Sequence, residues 1–216
     1  MRKERNSNIE LFRIVMILVV IAHHYVVNSQ IQSLYQLDHV SAHMVFMQIF
    51  GCGGKIAINC FLIVSGYFMC TQEATLYRWL RLFLEWLFYN VVINTIFLIA
   101  GYKPLGMQAL LSGFFPFFGG VGTGRDVFMF LFLYLLLLVP FLNKLIHAMN
   151  RREYTILLGI LLFLFTILST FYFHKTASGW TSANHWEGLG WYATAYLIGG
   201  YIRLYPPRIW THFAAV

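Results

Sequence analysis

Six stretches of this sequence, each roughly 20 residues long, are apolar and poor in charge. A helix of that length rises about 1.5 Å per residue and so crosses about 30 Å of hydrocarbon. We therefore predict six membrane-spanning helices. They cover residues 9–27, a stretch within 44–70, a stretch within 84–102, and residues 127–142, 154–173 and 188–202.

The composition supports a membrane protein rather than a soluble one. Hydrophobic residues make up 59% of the chain and charged residues 11%. A water-soluble domain of this length needs more polar side chains to cover its core. The net charge of +7 could indicate a nucleic-acid partner, but the Lys and Arg residues lie between the apolar runs instead of on one face. We expect the lipid bilayer as partner and no nucleic acid.

The distribution of basic residues predicts the orientation. Three Lys or Arg residues lie in one set of alternate loops, and ten lie in the other set and at the two termini. Because basic loops stay in the cytoplasm, the N terminus is predicted to be cytoplasmic. The chain is then a single domain, 1–216, with an all-α polytopic transmembrane bundle. The ten Lys and Arg residues on the predicted cytoplasmic side are Arg2, Lys3, Arg5, Arg78, Arg81, Lys144, Arg151, Arg152, Arg203 and Arg208.

Glycine and proline mark two interruptions. Residues 104–124 are uncharged but rich in Gly and Pro, which predicts an apolar loop at the membrane face or, alternatively, a re-entrant segment. The glycines Gly51, Gly53 and Gly54 predict a break at the entrance to the second span.

The first span carries three ionisable side chains, and each is a candidate functional residue because such groups are costly in a membrane. Glu10 and Arg13 are three residues apart and share a helix face. Arg13 and His24 are eleven apart, so they point the same way about 16 Å apart along the axis. Glu10, Arg13 and His24 thus form a stripe along the first span. This stripe either lines a polar path or anchors the helix at the membrane interfaces. His23 is rotated by about 100° from His24, so we expect it to be less sensitive.

Other polar residues in the spans have structural readings as well. Lys55 faces either a water-filled cavity or the outer interface. Arg81 and Glu85 form an i,i+4 pair, and Ser65 is typical of a hydrogen bond between helices. The eight histidines are scattered, and none is spaced from a carboxylate as metal ligands are, so no metal site is expected.

Two motifs resemble the acyltransferase-3 family of bacterial integral membrane proteins, which O-acylate cell-surface glycans and related substrates. The opening stretch IELFRIVMILVVIAHHY is similar to the family's first span, in which a Glu, an Arg and, after ten intervening residues, a His recur. Glu10, Arg13 and His24 fall on those positions. The stretch NCFLIVSGYFM resembles a second family segment ending in Ser-Gly-Tyr or Ser-Gly-Phe. Arg78 and Arg81 follow where the family has a basic cytoplasmic motif.

The likeness covers residues 8–205, and 206–216 form a tail. There are departures: no proline follows Arg81, and Phe128 or Phe130 stands where a tryptophan is common. Family members usually have more spans, so the chain resembles a short or C-terminally truncated member.

The resemblance implies acyl transfer from acyl-CoA, above all acetyl-CoA, to a hydroxyl of a glycan or lipid-linked sugar acceptor. It implies no bound cofactor and a multi-pass protein of the bacterial inner membrane. His24 would be the base, since the pKa of an unperturbed imidazole lies near physiological pH. Arg13 would bind donor phosphates or stabilise the oxyanion, with Glu10 orienting it. The implied donor-binding or substrate-binding residues are Arg78, Arg81, Lys55, Ser65 and Tyr67.

Two alternatives remain open at this point. A transporter or export partner could use the stripe from Arg13 to His24 as a translocation path, although no inverted repeat is visible. The chain could also be an inactive fragment of an acyltransferase.

Overall fold

The part of the chain that the structure describes is all-helical apart from short turns, as predicted. A computed structural model describes residues 7–29, 40–73, 76–102, 127–168 and 188–206. The predicted loop 104–124, the end of the fifth span beyond residue 168 and the tail after residue 206 lie outside these residues.

Seven helices follow one another along these ranges. Four segments are long and apolar enough to cross a membrane: α1, α2 taken together with α3, α4, and most of α5. The positions of the fifth and sixth spans are also helical, over shorter lengths, in α6 and α7. The prediction of a transmembrane helix bundle is therefore confirmed. The helices are α1 Ser7–Asn28, α2 Ala42–Gly51, α3 Gly54–Met69, α4 Leu76–Ile99, α5 Val127–Ala148, α6 Arg151–Leu162, which continues as a π-helical segment Phe163–Leu168, and α7 Leu189–Leu204.

Two helices extend beyond their apolar runs. The hydropathy pattern places Arg78 and Arg81 between two spans. Helix α4 begins at Leu76, however, so both arginines lie in its first turns. Its extension is supported by the predicted ion pair, in which Arg81 Nε lies 2.9 Å from Glu85 Oε1. Helix α5 continues past residue 142 to Ala148. Hydropathy marks only the part of a helix that lies in hydrocarbon, which explains both differences.

Helix α7 lies at the centre of the bundle. It packs most extensively on α3 and also contacts α5 and α6. Gly66 of α3 faces the backbone of Tyr196, and Gly199 of α7 faces the backbone of Ile63, so a Cβ at either glycine would overlap a main-chain oxygen. Small residues permit this close approach, which is the usual way for helices to pack in a membrane.

Helix α1 packs on the predicted break between α2 and α3. Helix α2 ends at Gly51 and α3 begins at Gly54, so the break is confirmed. A Cβ at Gly51 would meet Val26 and one at Gly54 would meet His23. In these two contacts the later residue of α1 meets the earlier glycine, so α1 runs antiparallel to the segment formed by α2 and α3.

The helix ends that carry the basic residues meet at one end of the bundle. Asn143 near the end of α5 donates a hydrogen bond to Met69 O at the end of α3 (2.9 Å), and Tyr154 at the start of α6 donates one to Leu197 O of α7 (2.7 Å). The end of α3, the start of α4, the end of α5, the start of α6 and the end of α7 thus lie together with the start of α1; we call this the basic end. This up-and-down arrangement agrees with the six-span topology. That the basic end faces the cytoplasm stays a prediction.

Candidate active site

One face of α1 carries the polar residues predicted for the site. The side chains of Glu10, Arg13 and His24 are all exposed. Because α1 is unbroken from Ser7 to Asn28, the eleven residues from Arg13 to His24 make about three turns and span about 16 Å. Arg13 therefore lies towards the basic end, and His24 lies near the opposite end. An apolar helix that carries ionisable side chains along one exposed face is a candidate site for a polar ligand.

His24 stands next to a second histidine that the bundle holds in place. His23 is half-buried, and its Nδ1 atom lies 2.7 Å from the carbonyl oxygen of Gly51. A carbonyl oxygen only accepts, so Nδ1 of His23 carries the proton. The ring of His23 meets that of His24 edge to face, with ring centres 5.7 Å apart. His24 is thereby turned away from the contact that its neighbour makes.

The glycine break shapes the seat for this end of α1. A Cβ at Gly53 would lie 2.5 Å from Val19 Cγ1, and one at Gly51 would lie 2.8 Å from Val26 Cβ. Only glycine leaves room for the valine side chains of α1 at these positions, which explains why the break is made of glycine. Lys55 follows the break, is exposed and lies at the same end of the bundle as His24.

The Ser-Gly-Tyr motif lies towards the basic end and is engaged in packing. Ser65 Oγ donates to the carbonyl oxygen of Phe61 in its own helix (2.7 Å). Gly66 lies against the backbone of Tyr196. The hydroxyl of Tyr67 accepts a hydrogen bond from Arg203 Nη1 (3.0 Å). Contact of Ser65 and Tyr67 with a substrate stays a prediction, while their contacts within the bundle are explicit.

The two arginines of the predicted basic motif are also at the basic end. Arg78 Nη1 donates to Gln72 Oε1 (2.8 Å), and Arg81 is paired with Glu85. Both arginine side chains are exposed. The structure therefore brings Arg78, Arg81 and Tyr67 to one end and places His24 and Lys55 at the other, with Arg13 between them but nearer to the basic end.

A polar cluster at the basic end was missed by sequence reasoning. Asn143 accepts a hydrogen bond from the Tyr196 hydroxyl (2.7 Å) while its amide donates to Met69 O. A nitrogen of His147 lies 2.9 Å from the carbonyl oxygen of Cys70. These side chains satisfy carbonyl groups at the end of α3 that have no partner in the helix itself. The only sequence signal was a pair of polar residues, four apart, at the end of an apolar run.

Within the described ranges, no group of three or more His, Cys, Asp or Glu side chains is placed so that it could hold a metal ion.

The comparison with known families identifies the domain. A family model described as an acyltransferase domain matches residues 6–214, which is nearly the whole chain. No curated protein and no solved structure matches the chain significantly.

Proposed function

Because this chain belongs to the acyltransferase-3 family and is a membrane acyltransferase, we propose that it moves an acyl group, acetyl in the simplest case, from acyl-CoA to a hydroxyl group. The proposed acceptor is a cell-surface glycan or a lipid-linked sugar. The observation that carries the proposal is the placing of Arg13 and His24 on one exposed face of α1, about 16 Å apart along its axis. The protein then acts in the bacterial inner membrane.

The proposed chemistry needs a base at the acceptor end of this face. His24 takes the proton of the acceptor hydroxyl as its oxygen attacks the carbonyl carbon of the thioester. The C–O bond forms, the carbonyl becomes an oxyanion, and its collapse breaks the C–S bond. The CoA thiolate leaves and takes the proton from the imidazolium, so that the histidine is regenerated. Lys55, at the same end, supplies positive charge for the oxyanion or the acceptor.

The donor would enter from the basic end. Arg13 is charged at any working pH and has a planar group that fits phosphate oxygens, and Glu10 orients it. Arg78 and Arg81 attract the anionic donor to this end. The long, flexible pantetheine arm of CoA suits a site whose phosphate-binding and proton-accepting residues lie about 16 Å apart.

The proposal is tested by adding acetyl-CoA labelled in its acetyl group to membranes that contain the protein. We expect label in the glycan or lipid-linked sugar fraction, released by mild alkali as an ester is. Membranes without the protein give the background. Well-folded protein that transfers no label above background would contradict acyl transfer and would favour an export partner or an inactive chain.

A further inference from the structure

Arg203, in the last turn of α7, lies on an aromatic ring of α3. Its Nη1 atom donates to the Tyr67 hydroxyl (3.0 Å), and its Cζ atom lies 5.0 Å from the centre of the Tyr67 ring. The arginine side chain is exposed, so the guanidinium group also faces the surroundings at the basic end. Such a contact holds the position of the charge without neutralising it.

The contact follows from the closest packing in the bundle. Gly66 and Gly199 bring α3 and α7 together backbone to backbone. Tyr67 is the next residue after Gly66, and Arg203 follows Gly199 by one turn. The arginine is therefore presented by two helices that cannot easily slide apart, unlike an arginine on a flexible loop.

A second arginine at the same end is held in the same way. The Cζ atom of Arg151, at the start of α6, lies 5.6 Å from the centre of the Tyr205 ring. A hydrogen bond with Tyr201 also holds this side chain and raises the pKa of Arg151 above its ordinary value. The hydroxyl of Tyr201 is in turn 3.0 Å from Thr155 Oγ1.

Both guanidinium groups retain their full charge. In the described part of the chain, tyrosines contact Arg151 and Arg203, and no carboxylate lies within ion-pair distance of either. Arg81, by contrast, is already paired with Glu85. An exposed arginine that is oriented but not neutralised is suited to bind an anion, and its fork-shaped donor set fits phosphate oxygens.

We propose that Arg203, held by Tyr67, binds a phosphate group at the basic end and that Arg151 adds a second positive charge there. The donor of the proposed function carries such phosphates, so this inference rests on that function for the identity of its ligand. Because Tyr67 orients the guanidinium in advance, less freedom is lost when the phosphate binds. An anionic lipid headgroup has the same chemistry and is the other possible source.

The test compares four variants in vesicles of zwitterionic lipid: Arg203→Gln, Arg203→Lys, Tyr67→Phe and, as a matched control, Arg152→Gln. Arg152 is an exposed arginine at the same end that is not assigned to the site. We expect Arg203→Gln to raise the KM for acetyl-CoA about tenfold with little change in kcat. Arg203→Lys and Tyr67→Phe should raise it by a smaller factor, and Arg152→Gln should leave it unchanged.

A donor lacking the 3′-phosphate shows which phosphate is bound. If Arg203 binds the 3′-phosphate, the wild-type protein shows a raised KM with this donor. The Arg203→Gln substitution then raises the KM no further, because removing the phosphate and removing the arginine abolish the same interaction. An equal KM for wild-type and Arg203→Gln protein with intact acetyl-CoA would overturn the donor site. If Arg203→Gln changes the KM only in vesicles that contain anionic lipid, Arg203 binds a phosphate of the lipid headgroups. That result supports a phosphate site but overturns its assignment to the donor.

Binding of labelled CoA without an acceptor separates this inference from the proposed function. If wild-type protein binds CoA more tightly than Arg203→Gln protein but transfers no acetyl group, the site stands and the acyl transfer fails. If acetyl transfer proceeds but wild-type and Arg203→Gln protein bind CoA equally tightly, the acyl transfer stands and the phosphate site at Arg203 fails. A monodisperse elution profile of each variant in detergent verifies that it is folded.

Discussion

The Nδ1 atom of His23 lies 2.7 Å from the carbonyl oxygen of Gly51, and this hydrogen bond joins α1 to the break between α2 and α3. A helix on a bundle surface can rotate about its axis unless a directional contact fixes it. Here the contact made by His23 leaves the neighbouring His24, about 100° further round the helix, on an exposed face. The face shared by Arg13 and His24 is thus set by a residue that is not on it.

The first prediction concerns that hydrogen bond. His23→Ala removes the hydrogen bond to Gly51 and leaves that carbonyl without this partner. The free energy of unfolding in detergent should therefore fall by about 1–2 kcal/mol. His23→Asn should preserve most of the stability, because the asparagine amide nitrogen can donate from nearly the position of Nδ1. Thermal denaturation followed by size-exclusion chromatography measures both. Equal loss in the two variants would mean that the ring's packing, rather than the hydrogen bond, secures α1.

The second prediction concerns the glycine contact between α3 and α7. Gly199→Ala places a methyl group against the backbone of Ile63 and should destabilise the bundle by about 1–3 kcal/mol. Gly159→Ala in α6 is the matched control, because a Cβ there meets nothing within 4 Å and alanine favours a helix by about 1 kcal/mol. The midpoint of thermal denaturation should drop for Gly199→Ala only. A drop of the same size in both variants would argue against the close packing.

The third prediction concerns the orientation in the membrane. Cys52 is exposed at the glycine break, opposite the basic end, whereas Cys70 is buried near the basic end. A membrane-impermeant maleimide added outside right-side-out vesicles should therefore label the protein at Cys52, and Cys52→Ser should abolish the labelling. Labelling of Cys52 only from the inner side of the membrane would contradict the prediction and show that the protein has the inverted orientation.

The sequence predicted the helices well because a bilayer imposes a simple rule on apolar length. The break at Gly51 to Gly54 was also predictable, since glycine disfavours a helix. The start of α6 carries a capping box between Asn150 and Glu153, a local signal that hydropathy alone does not use. The start of α4 was misplaced, because its first turns are charged and only the ion pair of Arg81 with Glu85 marks them as helical.

The contacts between helices could not be predicted in the same way. That His23 donates to Gly51, or that Tyr67 supports Arg203, depends on which helix faces which, and one sequence does not encode that visibly. Arg203 was counted only as a topology signal, and its aromatic partner lies 136 residues away in the chain. The spacing of Arg13 and His24, by contrast, lies within one helix, so their shared face was predictable.

The most direct test of the account is the rate of acetyl transfer by purified, reconstituted protein with His24→Ala, beside His43→Ala as a control. His43 is an exposed histidine of α2 that is not assigned to the site. Removal of a general base costs about 100-fold or more, so we predict that loss for His24→Ala, with CoA binding unchanged, and a wild-type rate for His43→Ala. A wild-type rate from equally well-folded His24→Ala protein would contradict the assignment of His24 as the base.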